Sequence, residues 1–173
     1  MLLGAVVSGA VCALLGLVLR GRLGVTAWTL AGLLWSLVVI GLITLIPANG
    51  APGVVPAETR LATCSWDIGG PAPEGFWIFS GGQRLLNTVV FVPSGVLLAL
   101  TATRWRSGWA SVPLGLALLA AYSVAIEKTQ LELARIDRAC DVTDIIDNVT
   151  GAAVGVVVGL ALALVVRPWR GRR

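Results

Sequence analysis

Apolar residues in this chain come in five runs, at about Leu2–Leu19, Val25–Ile46, Leu85–Thr103, Val112–Ile126 and Val149–Val166. Short polar pieces separate some of them, and two longer polar stretches, 47–84 and 127–148, separate the rest. A helix needs about 20 apolar residues to cross the hydrocarbon of a bilayer. Only structures that satisfy their own backbone hydrogen bonds can cross it, so each run predicts a transmembrane α-helix. The fourth run is short: its 15 residues would rise about 22 Å at about 1.5 Å each, against a core of about 30 Å. That helix is therefore expected to extend past Ile126 and carry Glu127 and Gln130 to the membrane surface. The first run lacks the basic start of a secretory signal peptide, and Ser-Gly-Ala-Val before Cys12 is a poor lipoprotein cleavage site, so an uncleaved helix is expected.

The charges give an orientation. All nine carboxylates lie in the two longer polar stretches: Glu58, Asp67 and Glu74 in 47–84, and Glu127, Glu132, Asp137, Asp141, Asp144 and Asp147 in 127–148. Eight of the 13 cations lie in pieces with no acid: Arg20 and Arg22, Arg104 and Arg106, and Arg167, Arg170, Arg172 and Arg173. Cytoplasmic loops are rich in Lys and Arg. The expectation is a cell-membrane, multi-pass protein with an extracytoplasmic N-terminus, an extracytoplasmic loop 47–84, a second outer stretch 127–148, and a basic cytoplasmic tail 167–173. Trp105, Trp109 and Trp169 suit the inner interface as anchors.

Composition agrees. The chain is 57% apolar and 13% charged, whereas soluble domains are about 25% charged. Its mean hydropathy is +0.88. The net charge of +4 comes from the inner arginines and is no nucleic-acid signal. One Lys against twelve Arg, with much Ala, Gly and Val, suggests a GC-rich bacterial genome. The predicted fold is an all-α integral membrane bundle of five transmembrane helices forming one domain over 1–173. The stretch 47–84, rich in Pro and Gly, serves as a linker.

Candidate chemistry collects toward the outer ends of three helices. Asp144, Asn148, Gly151, Gly155 and Gly159 are spaced by four, three, four and four, one stripe on a helix. The glycines form a small-xxx-small pattern that lets transmembrane backbones approach. Glu127 and Gln130 share a face of the fourth helix, and Asn87 opens the third. Pro93 removes a backbone donor inside that third helix and predicts a kink. Polar groups at membrane depth are costly and are usually paired and used. Asn87, Glu127, Gln130, Arg138, Asp141, Asp144 and Asn148 therefore form the candidate polar site, with Arg138 as the counter-ion able to grip a carboxylate through two bonds. The alternative is architectural: carboxylates at a helix start cap it and complement its dipole. Capping is the expected role of Asp147, and a solvated face that of Glu132, Arg135 and Asp137.

The chain has no His, which excludes His-based triads and His metal ligands. It shows no phosphate-binding Gly-rich loop and no paired-Cys zinc spacing, so no cofactor and no metal are assigned. Asn148-Val149-Thr150 is formally a glycosylation acceptor but lies at the start of a span. Of the three cysteines, Cys12 lies within the first run, where a thiol behaves as a small apolar residue. Cys64 and Cys140 fall in the two outer stretches, an oxidising compartment, and are expected to form a disulfide.

Asn87-x-x-x-Phe91-x-Pro93-x-Gly95, then Glu127-x-x-Gln130, then Arg138-x-x-Asp141-x-x-Asp144-x-x-x-Asn148-x-x-Gly151, resembles the VanZ-like membrane protein family over about 35–160. The family's name comes from a glycopeptide-resistance protein associated with reduced sensitivity to teicoplanin, and most members have no known function. The resemblance implies an envelope protein that modulates glycopeptide sensitivity or handles an envelope lipid or peptidoglycan precursor. Two other classes stay open: an intramembrane enzyme using Glu127, Asp141 and Asp144 on a lipid-linked, phosphorylated substrate held by Arg138, and a scaffold whose polar cluster is architectural. The lipid bilayer is the expected partner, together with such a precursor; nucleic acid is not.

Overall fold

The computed structural model describes residues 1–46, 63–68, 82–133 and 140–171. It contains five long helices: α1 (Leu2–Leu23), α2 (Val25–Leu45), α3 (Gly82–Ala102), α4 (Gly108–Leu133) and α5 (Val142–Val166), followed by a short 3-10 turn at Pro168–Gly171. All five are long and apolar enough to cross a membrane. Among the described residues there is no strand, only an isolated bridge between Ser65 and Asp141.

Four of the five helices are longer than the apolar runs that predict them; α2 ends one residue short of its run, at Leu45. Helix α4 continues to Leu133 and includes both Glu127 and Gln130, as the bilayer thickness demands. Helix α5 begins at Val142, before its apolar run, because Asp141 supplies an N-cap. Helix α3 passes through Pro93 as one helix. The piece carrying Arg20 and Arg22 is not a loop: α1 runs to Leu23, and Gly24 at φ 57° is the single residue between α1 and α2. Positive φ is natural only for Gly. Arg104, buried at 8% exposure, donates from Nη1 to the Leu23 carbonyl at 2.8 Å and from Nη2 to the Arg22 carbonyl at 3.2 Å. A cation there satisfies the open carbonyls and complements the negative end of α1.

The core lies where α2, α3, α4 and α5 meet, at Ile40, Phe91, Leu119, Ile126 and Ala152. Helix α1 packs against α2 and leaves Leu2, Leu3 and Val18 facing outward, as bilayer-facing residues can. The most extensive contact is between α3 and α5, which run parallel. Arg84 meets Asp147, and the carbonyls of Thr88, Val92 and Val96 face Gly151, Gly155 and Gly159. The numbering offset is 63 in each of these four pairs. A Cβ at Gly151 would fall on the Thr88 carbonyl oxygen and one at Gly155 on that of Val92; from the other side, a Cβ at Gly95 would fall on the Ala152 carbonyl. The glycine stripe thus has its neighbour, and the polar residues above it on α5 are held against α3.

Candidate polar site at the disulfide end

The site assembles around the start of α5. Asp141 is the N-cap: its Oδ1 accepts the Thr143 N–H at 2.8 Å. In a capping box the acid three residues on reaches back to the cap's own N–H. Here that acid is Asp144, but the Asp141 N–H is donated across the bundle to Glu127 Oε2 on α4, at 3.2 Å. Glu127 is buried, with 3% exposure. Its helix therefore helps to fix where α5 begins.

The segment 63–68 closes on the same place. Cys64 and Cys140 form a disulfide with their Cα atoms 4.6 Å apart, as expected from the sequence. Beside it, Ser65 N–H donates to the Cys140 carbonyl at 2.8 Å, and Val142 N–H donates to the Ser65 carbonyl at 3.1 Å. The buried Thr143 hydroxyl reaches the Asp67 carbonyl at 3.4 Å.

The remaining polar groups lie between helices. Asn148 Nδ2 donates to Ser123 Oγ on α4 at 2.9 Å, with both residues buried. Gln130 Nε2 donates to the Thr44 carbonyl at 3.0 Å and satisfies the last turn of α2. Asn87 keeps a buried amide nitrogen that has no hydrogen-bond partner among the described residues. A buried donor left unmade costs about 1–3 kcal/mol. Asn87, Phe91 and Ser94 are spaced as one face of α3, and Phe91 and Ser94 are fully buried, which directs that face to the core.

Asp147 is not a cap, contrary to the role expected for it. It lies beyond the first turn of α5, where the free backbone donors end. Its carboxylate takes two bonds from Arg84, Nε at 2.9 Å and Nη2 at 3.1 Å. The Asp147 side chain is 10% exposed and that of Arg84 44%, so Arg84 brings the charge of an inward-facing acid out to the surface. The expected counter-ion, Arg138, lies outside the described residues, as do Arg135 and Asp137.

The predicted residues therefore meet in part. Glu127 and Asp141 bond directly; Asp144 stands in the first turn of the same helix; Asn148 and Gln130 bond to groups the sequence reading missed, Ser123 and Thr44. Ser123 had a signal, since 123, 127 and 130 are spaced by four and three on one face of α4. Arg84 had one too: it is the lone charge at the head of an apolar run, and a charge there needs a partner. Among the described residues no three acidic, Cys or His side chains are grouped as metal ligands.

Residues 28–164 match the family model described as VanZ/LLP1. No curated protein and no solved structure matches the chain. Five bilayer-length helices and this match make it a multi-pass membrane protein. With its signature residues on α3, α4 and α5 and a match over most of its length, the chain belongs to the VanZ/LLP1 family.

Proposed function

We propose that this protein handles an envelope lipid or lipid-linked peptidoglycan precursor at the extracytoplasmic face of the cell membrane, and that it alters sensitivity to teicoplanin-type glycopeptides in doing so. The observation that carries this is the set of buried polar groups drawn to one end of the bundle, with Glu127 bonded to the start of α5 and the Asn87 amide nitrogen left open. Groups buried at membrane depth cost stability unless they are used or fully paired, and an open donor suits a ligand oxygen. The orientation in this proposal rests on charge: the arginines of the α1–α2 junction, of the α3–α4 connection and of the tail are assigned to the cytoplasm, which puts the disulfide outside.

A second reading, an intramembrane enzyme acting on the same lipid, is favoured by the buried Glu127 carboxylate, a group able to exchange a proton with a bound substrate. Lipid mass spectrometry of a deletion strain against wild type separates the two. An accumulating lipid-linked precursor supports catalysis. An unchanged lipid profile with altered teicoplanin sensitivity supports the accessory role. No change in either contradicts both.

A further inference from the structure

The segment 63–68 presents two large apolar side chains outward, Trp66 at 76% exposure and Ile68 at 64%. It is tied down by the Cys64–Cys140 disulfide and by the hydrogen bonds linking Ser65 to Cys140 and Val142. Those ties set its depth: Ser65 pairs with Asp141, the residue that caps α5. Ile146, 40% exposed, is the first large apolar residue on the outward side of α5. It stands about 6 Å along the helix axis from Val142 at about 1.5 Å per residue. The polar layer of a bilayer is about 5–8 Å thick on each side. The Trp66 backbone thus falls inside that layer once α5 crosses the membrane. Trp suits it chemically, with an apolar ring and one N–H donor, and is enriched there.

We propose that Trp66 and Ile68 seat the disulfide-held segment 63–68 in the interfacial layer of the bilayer, at the edge of the polar site. This surface does not depend on which ligand the site takes. The segment is held to α5 on one side by backbone pairing and a covalent bond, and its free apolar side chains require a partner that accepts an indole and a branched alkyl chain at the same depth. The lipid interface meets that requirement.

The test is fluorescence of the full-length protein in phosphatidylcholine–phosphatidylglycerol vesicles, compared with Trp66→Phe. The exposed position tolerates this exchange, and the difference between the two proteins isolates the Trp66 signal from the other tryptophans. The proposal expects lipids brominated high on the acyl chain to remove most of that signal and aqueous iodide to remove little. Quenching by iodide with no effect of brominated lipid would place the ring in water and overturn it. Protection from both quenchers would place it against protein and overturn it equally.

Discussion

The Glu127 carboxylate of α4 accepts the backbone N–H of Asp141, the residue that caps α5, at 3.2 Å. One bond therefore joins the two motif elements that lie furthest apart in chemical role, an acid deep in one helix and the start of another. It also explains why α5 begins where it does. The cap's own N–H is taken by another helix, the cap's side chain holds Thr143 N–H, and the preceding residue is fixed by a disulfide. The position of Asp144, three residues on, follows from all three.

The glycine seam makes a sharp contrast possible. Gly155→Ala puts a methyl group onto the Val92 carbonyl oxygen, and backbone cannot step aside. Overpacking of this kind costs about 1–3 kcal/mol. Gly21→Ala meets nothing within 4 Å and should leave stability unchanged or slightly raised. Thermal unfolding in one detergent checks the pair; equal midpoints would remove the close α3–α5 approach.

The Arg84–Asp147 pair predicts non-additivity. Arg84→Leu strands an inward-facing carboxylate and should lower the unfolding midpoint clearly. Asp147→Leu should cost less, because Arg84 is half exposed and can reach water. The double exchange should recover most of the loss of Arg84→Leu, since a paired buried charge is often replaceable by apolar groups while a broken pair is not. A double-mutant cycle with no coupling would show that the pair is ornamental.

How much of this was legible beforehand depends on the kind of signal. The five helices were, because bilayer thickness turns an apolar run into a helix almost directly. The extension of α4 to Glu127 and Gln130 followed from length alone. The Cys64–Cys140 bridge followed from placing both residues in one compartment. The role of Asp147 did not: three acids at a helix start look alike in sequence, and only the register of α3 against α5 shows that Asp141 caps while Asp147 faces Arg84. The α1–α2 junction was likewise hidden, since Arg20-Gly21-Arg22 suggests a loop. Only Gly24 and the reach of Arg104 show that the helix continues to Leu23.

The disulfide should dominate the stability of the polar end. It joins residues 76 apart, and closing a loop of that size is worth about 4 kcal/mol in the chain-entropy model. Alkylation without reductant should therefore modify Cys12 alone, and Cys64→Ser should lower the unfolding midpoint. Mass spectrometry showing three alkylated cysteines before reduction would contradict the bridge.

Orientation is checked by fusions. A reporter after Arg173 should read cytoplasmic, and one inserted near Pro52 extracytoplasmic, on the charge bias of three separate pieces. A C-terminal reporter on the outer face would invert the proposed location of the site.

The central claim, that the acids of the polar site serve a function and not only the fold, is tested most directly by complementing a deletion strain with Glu127→Gln or Asp144→Asn. Each amide keeps the size of the acid and removes its charge. With membrane protein levels matched to wild type by immunoblot, teicoplanin sensitivity is then measured. The account predicts that both amide proteins accumulate normally and that neither restores the wild-type response. Full restoration by both would contradict a functional site, and loss of the proteins from the membrane would show that the cluster is architectural.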